Sequence, residues 1–164
     1  MPDFKALDQE QIDIYFMQKA YEQAQMALDK NEVPVGAVLT LDNQVIAASY
    51  NKKELSPSAT HHAEILVIEQ ASKQLNRWRL SDCTLYITLE PCLMCTGAII
   101  ASRINRVVYA TNDPKAGAVN SVFKLSNHPD LNHNFAYTSG LLQTECSKIL
   151  KDFFKAKRNK KTPH

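Results

Sequence analysis

No apolar run in this sequence is long enough to cross a bilayer. Stretches such as Pro34–Leu39 and Gly97–Ala101 are among its longest, against the roughly 20 residues a spanning helix needs. Met1-Pro2-Asp3-Phe4-Lys5 leads into an acidic, amphipathic stretch and so lacks the basic start and apolar core of a secretory signal. These absences argue against a membrane role, and a cytoplasmic location is expected. Cysteine is scarce: Cys83, Cys92, Cys95 and Cys146 in 164 residues. Without an export signal, metal or core roles are expected for them rather than disulfides. Neither charge dominates, the formal net charge being +2. There is no internal repeat, low-complexity block or linker, so residues 1–164 are expected to form one domain that can bury a core without cross-links.

The charge that is present is uneven. The first thirty-two residues are mostly acidic, whereas Lys148 to Lys161 carries seven cations against Asp152. A basic tail over about residues 155–164 is either a phosphate-backbone contact or a solubilising terminus.

Apolar periodicity predicts a first helix over Gln11–Lys30, ended by Pro34. Val35–Leu41 and Gln44–Tyr50 read as strands around an Asp42-Asn43 hairpin turn. A helix over Ala63–Leu75, a strand over Thr84–Leu89 and a helix over Cys92–Ser102, opened by Pro91, follow. Strands at Arg106–Ala110 and Phe135–Thr138 flank a loop-rich stretch, and Leu141–Lys157 closes with one or two helices. Alternating strands and helices predict an α/β domain with helices packed on a mixed sheet.

Two motifs carry chemistry: His62-Ala63-Glu64 and Pro91-Cys92-Leu93-Met94-Cys95, each at the start of a predicted helix. Helix starts that follow strands gather at one sheet edge, where ligand sites form. Cys92 and Cys95 are one turn apart on one helix face, and a helix N-terminus favours thiolate over thiol. Two thiolates and an imidazole make a three-ligand zinc site with an open fourth position, where water becomes a nucleophile near neutral pH. Glu64 is not needed as a ligand and suits proton transfer. The alternative is a closed structural site with a fourth ligand from His61, Cys83, Cys146, His128 or His133, and His61 competes with His62 for the imidazole role. Only His62 gives the His-x-Glu spacing. Cys83 and Cys146 otherwise read as buried thiols.

Together these residues resemble the bacterial tRNA-specific adenosine deaminases, a branch of the cytidine deaminase superfamily. The resemblance runs from Ile12 to Arg158. It rests on Val33-Pro34-Val35-Gly36-Ala37-Val38, Asn51, His62-Ala63-Glu64, Leu85 through Cys95, Ala98 with Ser102-Arg103-Ile104, Asp113-Pro114-Lys115-Ala116-Gly117, and Asp152-Phe153-Phe154. It implies a three-layer α/β/α sandwich around a central five-stranded mixed sheet. It implies one Zn2+ per subunit held by His62, Cys92 and Cys95, with Glu64 as catalytic proton shuttle. The implied activity is hydrolysis of adenosine to inosine at the wobble position of a tRNA anticodon by a homodimer. Asn51, Ala63, Asp113 and Phe154 are the implied substrate-binding residues, with Phe153 on the same RNA-facing helix. His61, Pro114 and Asn120 depart from the family pattern. The pocket needs apolar walls, for which Val33, Pro34 and Leu89 are candidates. Asn51 and Asp113 read equally well as turn residues, and one of Phe153 and Phe154 as core. The competing functions are a deaminase of free bases or nucleosides, and a non-catalytic zinc-stabilised RNA-binding subunit.

Overall fold

The computed structural model describes residues 1–161, so the last three residues of the basic tail lie outside the described chain. A short turn of helix at Phe4–Ala6 precedes α1 (Gln9–Asp29), β1 (Gly36–Leu41), β2 (Gln44–Tyr50), α2 (Ala63–Leu75), β3 (Cys83–Leu89), α3 (Leu93–Ala101), β4 (Arg106–Thr111), β5 (Ala136–Ser139) and α4 (Gln143–Lys161). The strands form one mixed sheet in the order β2-β1-β3-β4-β5. The β1 strand is antiparallel to β2 and β3, and β3, β4 and β5 are parallel. No described helix is long and apolar enough to cross a membrane.

Local chemistry accounts for the differences at element ends. The α1 helix starts two residues before Gln11 because Asp8 caps it: Asp8 Oδ1 accepts the Gln11 N–H, and the Gln11 side chain accepts the Asp8 N–H. The Asp42-Asn43 turn needs no glycine, since both residues adopt the left-handed conformation (φ 50° and 57°) that a two-residue hairpin requires and short polar side chains tolerate. Pro91 does not open α3 as expected. Cys92, in extended conformation, is the N-cap and Leu93 the first helical residue. The C-terminal segment is a single helix that starts two residues later and ends four residues later than the expected Leu141–Lys157.

Strand alternation sorts the core onto two faces. Val38, Tyr86 and Val108 meet Phe16, Met17 and Ala20 of α1 and Cys146 of α4. Leu39, Leu85, Ile87 and Val107 meet Val67 and Ala71 of α2 and Ile99 of α3. The result is the three-layer sandwich that the resemblance implied. Gly36 makes the α1 layer close. A Cβ there would lie 2.1 Å from the Ala20 carbonyl oxygen and 2.4 Å from the Ala24 nitrogen, both backbone atoms.

Asp13, part of the acidic N-terminal stretch, is not at the surface. It is 2% exposed and takes a bidentate pair from Arg106 of β4 at 2.7 and 2.6 Å and the Tyr86 hydroxyl of β3 at 2.8 Å. Burial pushes its carboxyl up, but the bonds from Arg106, Tyr86 and Gln9 outweigh it and hold the group below its ordinary 3.8.

The strand register decides where a site can form. Gly36 at the start of β1 faces Tyr50 at the end of β2, Ala37 faces Ile87 near the end of β3, and Leu89 pairs with Thr111 at the end of β4. Four chain segments therefore converge on one sheet edge: the entry to β1 and the exits from β2, β3 and β4.

Two stability outcomes are expected. Gly36→Ala forces α1 off β1 and costs stability at the upper end of about 1–3 kcal/mol in urea unfolding. Arg106→Met strands the buried Asp13 carboxylate and costs about 3 kcal/mol at pH 7. Because the folded Asp13 value is depressed, its contribution is complete above 3.8 and vanishes as pH falls through the lower folded value. The gap between Arg106→Met and wild type in unfolding free energy therefore narrows below that pH.

Candidate active site

His62 and Cys92 are the N-cap residues of α2 and α3, and neither side chain makes a cap hydrogen bond. Ser, Thr, Asp or Asn at such a position typically contributes on the order of 1 kcal/mol, which both helices forgo. The freed side chains turn to each other. His62 Nδ1 lies 3.6 Å from Cys92 Sγ and 3.5 Å from Cys95 Sγ, and the three ligand atoms all lie within 4.8 Å of one another. Cys95 is fully buried; His62 and Cys92 are half-buried.

Among the described residues no fourth His, Cys, Asp or Glu offers a ligand atom to this group. The competitors are engaged elsewhere. His61 Nδ1 pairs with the Ser56 hydroxyl, His133 Nε2 with the Ile104 carbonyl at 2.7 Å, and His128 Nδ1 accepts the Asp130 N–H. Cys83 and Cys146 are free buried thiols, and burial pushes both up, to about 11 and about 12.

The electrostatics of the group suit a cation. The Cys95 thiol donates to Cys92 and, with His62 opposite, brings Cys92 down to about 4. The same bond, with burial, pushes Cys95 up. The bond to Cys92 raises His62. Two sulfurs and an imidazole thus share protons in a space where a divalent soft cation would replace them. Glu64, on the first turn of α2, is 4% exposed. Burial lifts its carboxyl to about 7, and its Oε2 is buried with no hydrogen-bond partner.

His62, Glu64 and Cys92 border a cavity of about 240 Å³, lined also by Val33, Val35, Asn51, Lys53, Ala63, Leu89, Glu90, Asp113 and Ala116. It is smaller than the roughly 300–1,000 Å³ of drug-sized pockets and suits a single planar base. Val35, not Pro34, joins Val33 and Leu89 as an apolar wall. Two larger grooves, of about 660 and 510 Å³, flank it, and Val33 and Phe154 border both.

The sequence-predicted residues separate by location. His62, Ala63, Glu64, Cys92, Asn51 and Asp113 line the small cavity, Cys95 completes the His/Cys/Cys group behind it, and Phe154 lies outside between the grooves. Phe153 is the core member of its pair, 8% exposed against 44% for Phe154. Asn51 is 7% exposed and is no simple turn residue. Asp113 does both jobs: its carboxylate accepts the Lys115 and Ala116 N–H groups as a turn while the residue lines the cavity.

Two acids that sequence reasoning passed over hold the loops in place. Glu90, 2% exposed, accepts N–H groups from Asp113, Val119, Asn120 and Ser121 and the Ser121 hydroxyl. Burial opposes its ionisation, but these bonds hold its carboxyl below the ordinary value. Gly117 lies against that carboxylate, since a Cβ there would be 2.4 Å from Cδ of Glu90. The Asn120 departure is therefore mild, because its backbone makes the contact. Pro114 occupies a turn position beside the N–H donors Asp113, Lys115 and Ala116. Glu32, also 2% exposed, binds the loop after β2. The available signal was position alone: Glu90 directly precedes Pro91, and Glu32 stands two residues before Pro34.

The model of the MafB19-like deaminases matches residues 11–158. A tRNA-specific adenosine deaminase of Bacillus subtilis is 42% identical over 149 residues, spanning 91% of this chain and 92% of the relative. One from Aquifex aeolicus is 41% identical over 145 residues, 88% of this chain and 95% of the relative. A solved structure from studies of A-to-I editing by tRNA:A34 deaminases at the wobble position of transfer RNA has a TM-score of 0.80 at 44% identity, covering 83% of this chain and 99% of that one. Matches of that length and identity mean that this chain belongs to the MafB19-like deaminase family, on the branch of the tRNA-specific adenosine deaminases.

Proposed function

We propose that this protein is a zinc-dependent hydrolytic deaminase that converts adenosine to inosine at the wobble position of a tRNA anticodon. The observation that carries the reading is the unpartnered, buried Oε2 of Glu64 beside a His/Cys/Cys group at a cavity of single-base size. A structural zinc site would bring a fourth protein ligand and would have no use for an unpaired carboxylate.

His62, Cys92 and Cys95 would hold the ion. When bound, zinc supplies a Lewis acid that activates water near neutral pH. The net reaction adds the oxygen of water to the amine-bearing ring carbon and releases ammonia. Glu64 moves the protons, carrying one from water to the ring nitrogen as the C–O bond forms and then the remaining hydroxyl proton to the amine as the C–N bond breaks and ammonia leaves. Val33, Val35 and Leu89 exclude water around the base, and Asn51 supplies an amide at its polar edge. The base must leave its stack to enter, at a cost of a few kcal/mol that is lowest in an unpaired loop.

The grooves on either side suit the flanking nucleotides. One is bordered by Lys30, Lys53, Lys157 and Lys161, the other by Lys115, Lys151 and Arg158. Phe154, exposed between them, offers a ring face for stacking, and the close relatives act, by name, on tRNA. A single deaminase domain over residues 1–164, a homodimer, one zinc per subunit and a cytoplasmic site of action go with this reading.

Zinc-loaded protein is expected to form inosine at the wobble adenosine of an anticodon stem-loop; sequencing that shows unchanged adenosine overturns the reading. Glu64→Ala is expected to lower turnover by about 10²–10⁴-fold while atomic absorption still finds one zinc per chain. Removing residues 155–164 is expected to weaken RNA binding and flatten its salt dependence. The log–log slope should fall by about 0.7 for each phosphate of single-stranded RNA that the tail no longer neutralises. A deaminase of free bases or nucleosides would keep its rate after that deletion, and a large loss confined to the RNA substrate excludes it.

A further inference from the structure

Outside the metal group, one buried acid has its polar atoms divided between two tasks. Glu32 lies between α1 and β1. Its Oε1 accepts the backbone N–H groups of Glu54 at 2.8 Å and Leu55 at 2.5 Å. Its Oε2 accepts Asn51 Nδ2 at 3.2 Å. Both side chains are buried, Glu32 at 2% and Asn51 at 7% exposure.

A carboxylate in this place accepts only. Asn51 must therefore present its NH₂ end to Glu32. That leaves Asn51 Oδ1 at the other end of the planar amide. The oxygen takes no hydrogen bond from any described residue, yet it is not sealed from solvent, and Asn51 lines the cavity with His62 and Glu64. An amide without such a partner has two orientations that differ by 180°, offering a donor or an acceptor to the cavity.

We infer that Glu32 is a positioning residue that sets the polarity of Asn51, so that the amide oxygen faces the substrate as an acceptor for an N–H or O–H group. The inference rests on the deaminase reading for its substrate. Glu32 also ties the segment between Asn51 and His62 through Glu54 and Leu55, so one carboxylate sets both the orientation of Asn51 and the path of the loop that leads to the metal group.

Glu32→Gln separates the two tasks. The glutamine oxygen can keep the Glu54 and Leu55 bonds, while its NH₂ then faces Asn51 and forces that amide to turn over. The expected result is a loss of roughly ten- to a hundredfold in kcat/KM on an anticodon stem-loop, as for a hydrogen bond to a charged group, with an unfolding midpoint close to that of wild type. In a double-mutant cycle, Glu32→Gln should cost little more once Asn51 is already Ala, because it acts through Asn51. Full additivity of the two losses overturns the inference. A second measurement needs neither substrate nor variant turnover. In side-chain amide NMR of the wild-type protein, one Asn51 Nδ2 proton should be shifted downfield and protected by the carboxylate. A pair of ordinary, fast-exchanging amide protons also overturns the inference. Absence of inosine with the wild-type protein sinks the deaminase reading instead, so the two failures are told apart.

Discussion

The site depends on the antiparallel insertion of β1 between β2 and β3. In a purely parallel sheet the entry to a strand lies at the opposite edge from the exits of its neighbours. Here the β1 register places Gly36 beside Tyr50 and Ala37 beside Ile87, which brings Val33 and Val35 to the edge where β2, β3 and β4 end. Two of the apolar walls, Val33 and Val35, thus come from a strand entry, and Leu89, Asn51 and the His/Cys/Cys group with Glu64 from segments that follow strand exits. Gly36 permits the arrangement because α1 lies directly on the start of β1, where even a methyl group would strike helix backbone.

At that edge the packing problem changes character. The sheet interior is held by interdigitated apolar groups, but loops that must admit a polar ring cannot be held that way. They are held by carboxylates turned inward. Glu90 gathers four backbone N–H groups from the segment after β4, and Glu32 gathers two from the segment after β2 and the Asn51 amide. An isolated buried carboxylate would be costly. With several N–H donors it becomes a strong, directional anchor. Asp13 plays the same part between α1 and the sheet, with Arg106 and Tyr86 as partners. Glu64 is the exception among these buried acids, because one of its oxygens has no partner, and the exception lies where proton transfer is needed.

Both helices that present the His/Cys/Cys group sacrifice a conventional cap. His62 and Cys92 occupy positions where a hydroxyl or carboxylate would satisfy the first helical N–H groups. The helix dipole is retained and directed at the sulfur of Cys92, where it favours the thiolate. Local stability and site chemistry compete at the same two residues, and the chemistry prevails.

Much of this was legible in one dimension. Hydrophobic periods and residue types located the four α-helices and five strands to within about four residues, because a buried face leaves a repeat in the sequence, whereas the short turn of helix at Phe4–Ala6 left none. Strand–helix alternation indicated the layers, and the His-x-Glu and Pro-Cys-x-x-Cys spacings named the chemistry, since each motif falls within one or two helical turns. What the sequence alone could not decide were contacts between residues far apart along it. It preferred His62 to His61 on spacing alone, left open any fourth ligand and Phe153 against Phe154, and named Pro34 as a wall where Val35 lines the cavity. It gave no weight to Glu32, Glu90 or Asp13, which look like any surface acid until their partners, up to ninety-three residues away, are in place. A side chain's burial and its hydrogen-bond partners belong to the assembled layers, and no local pattern records them.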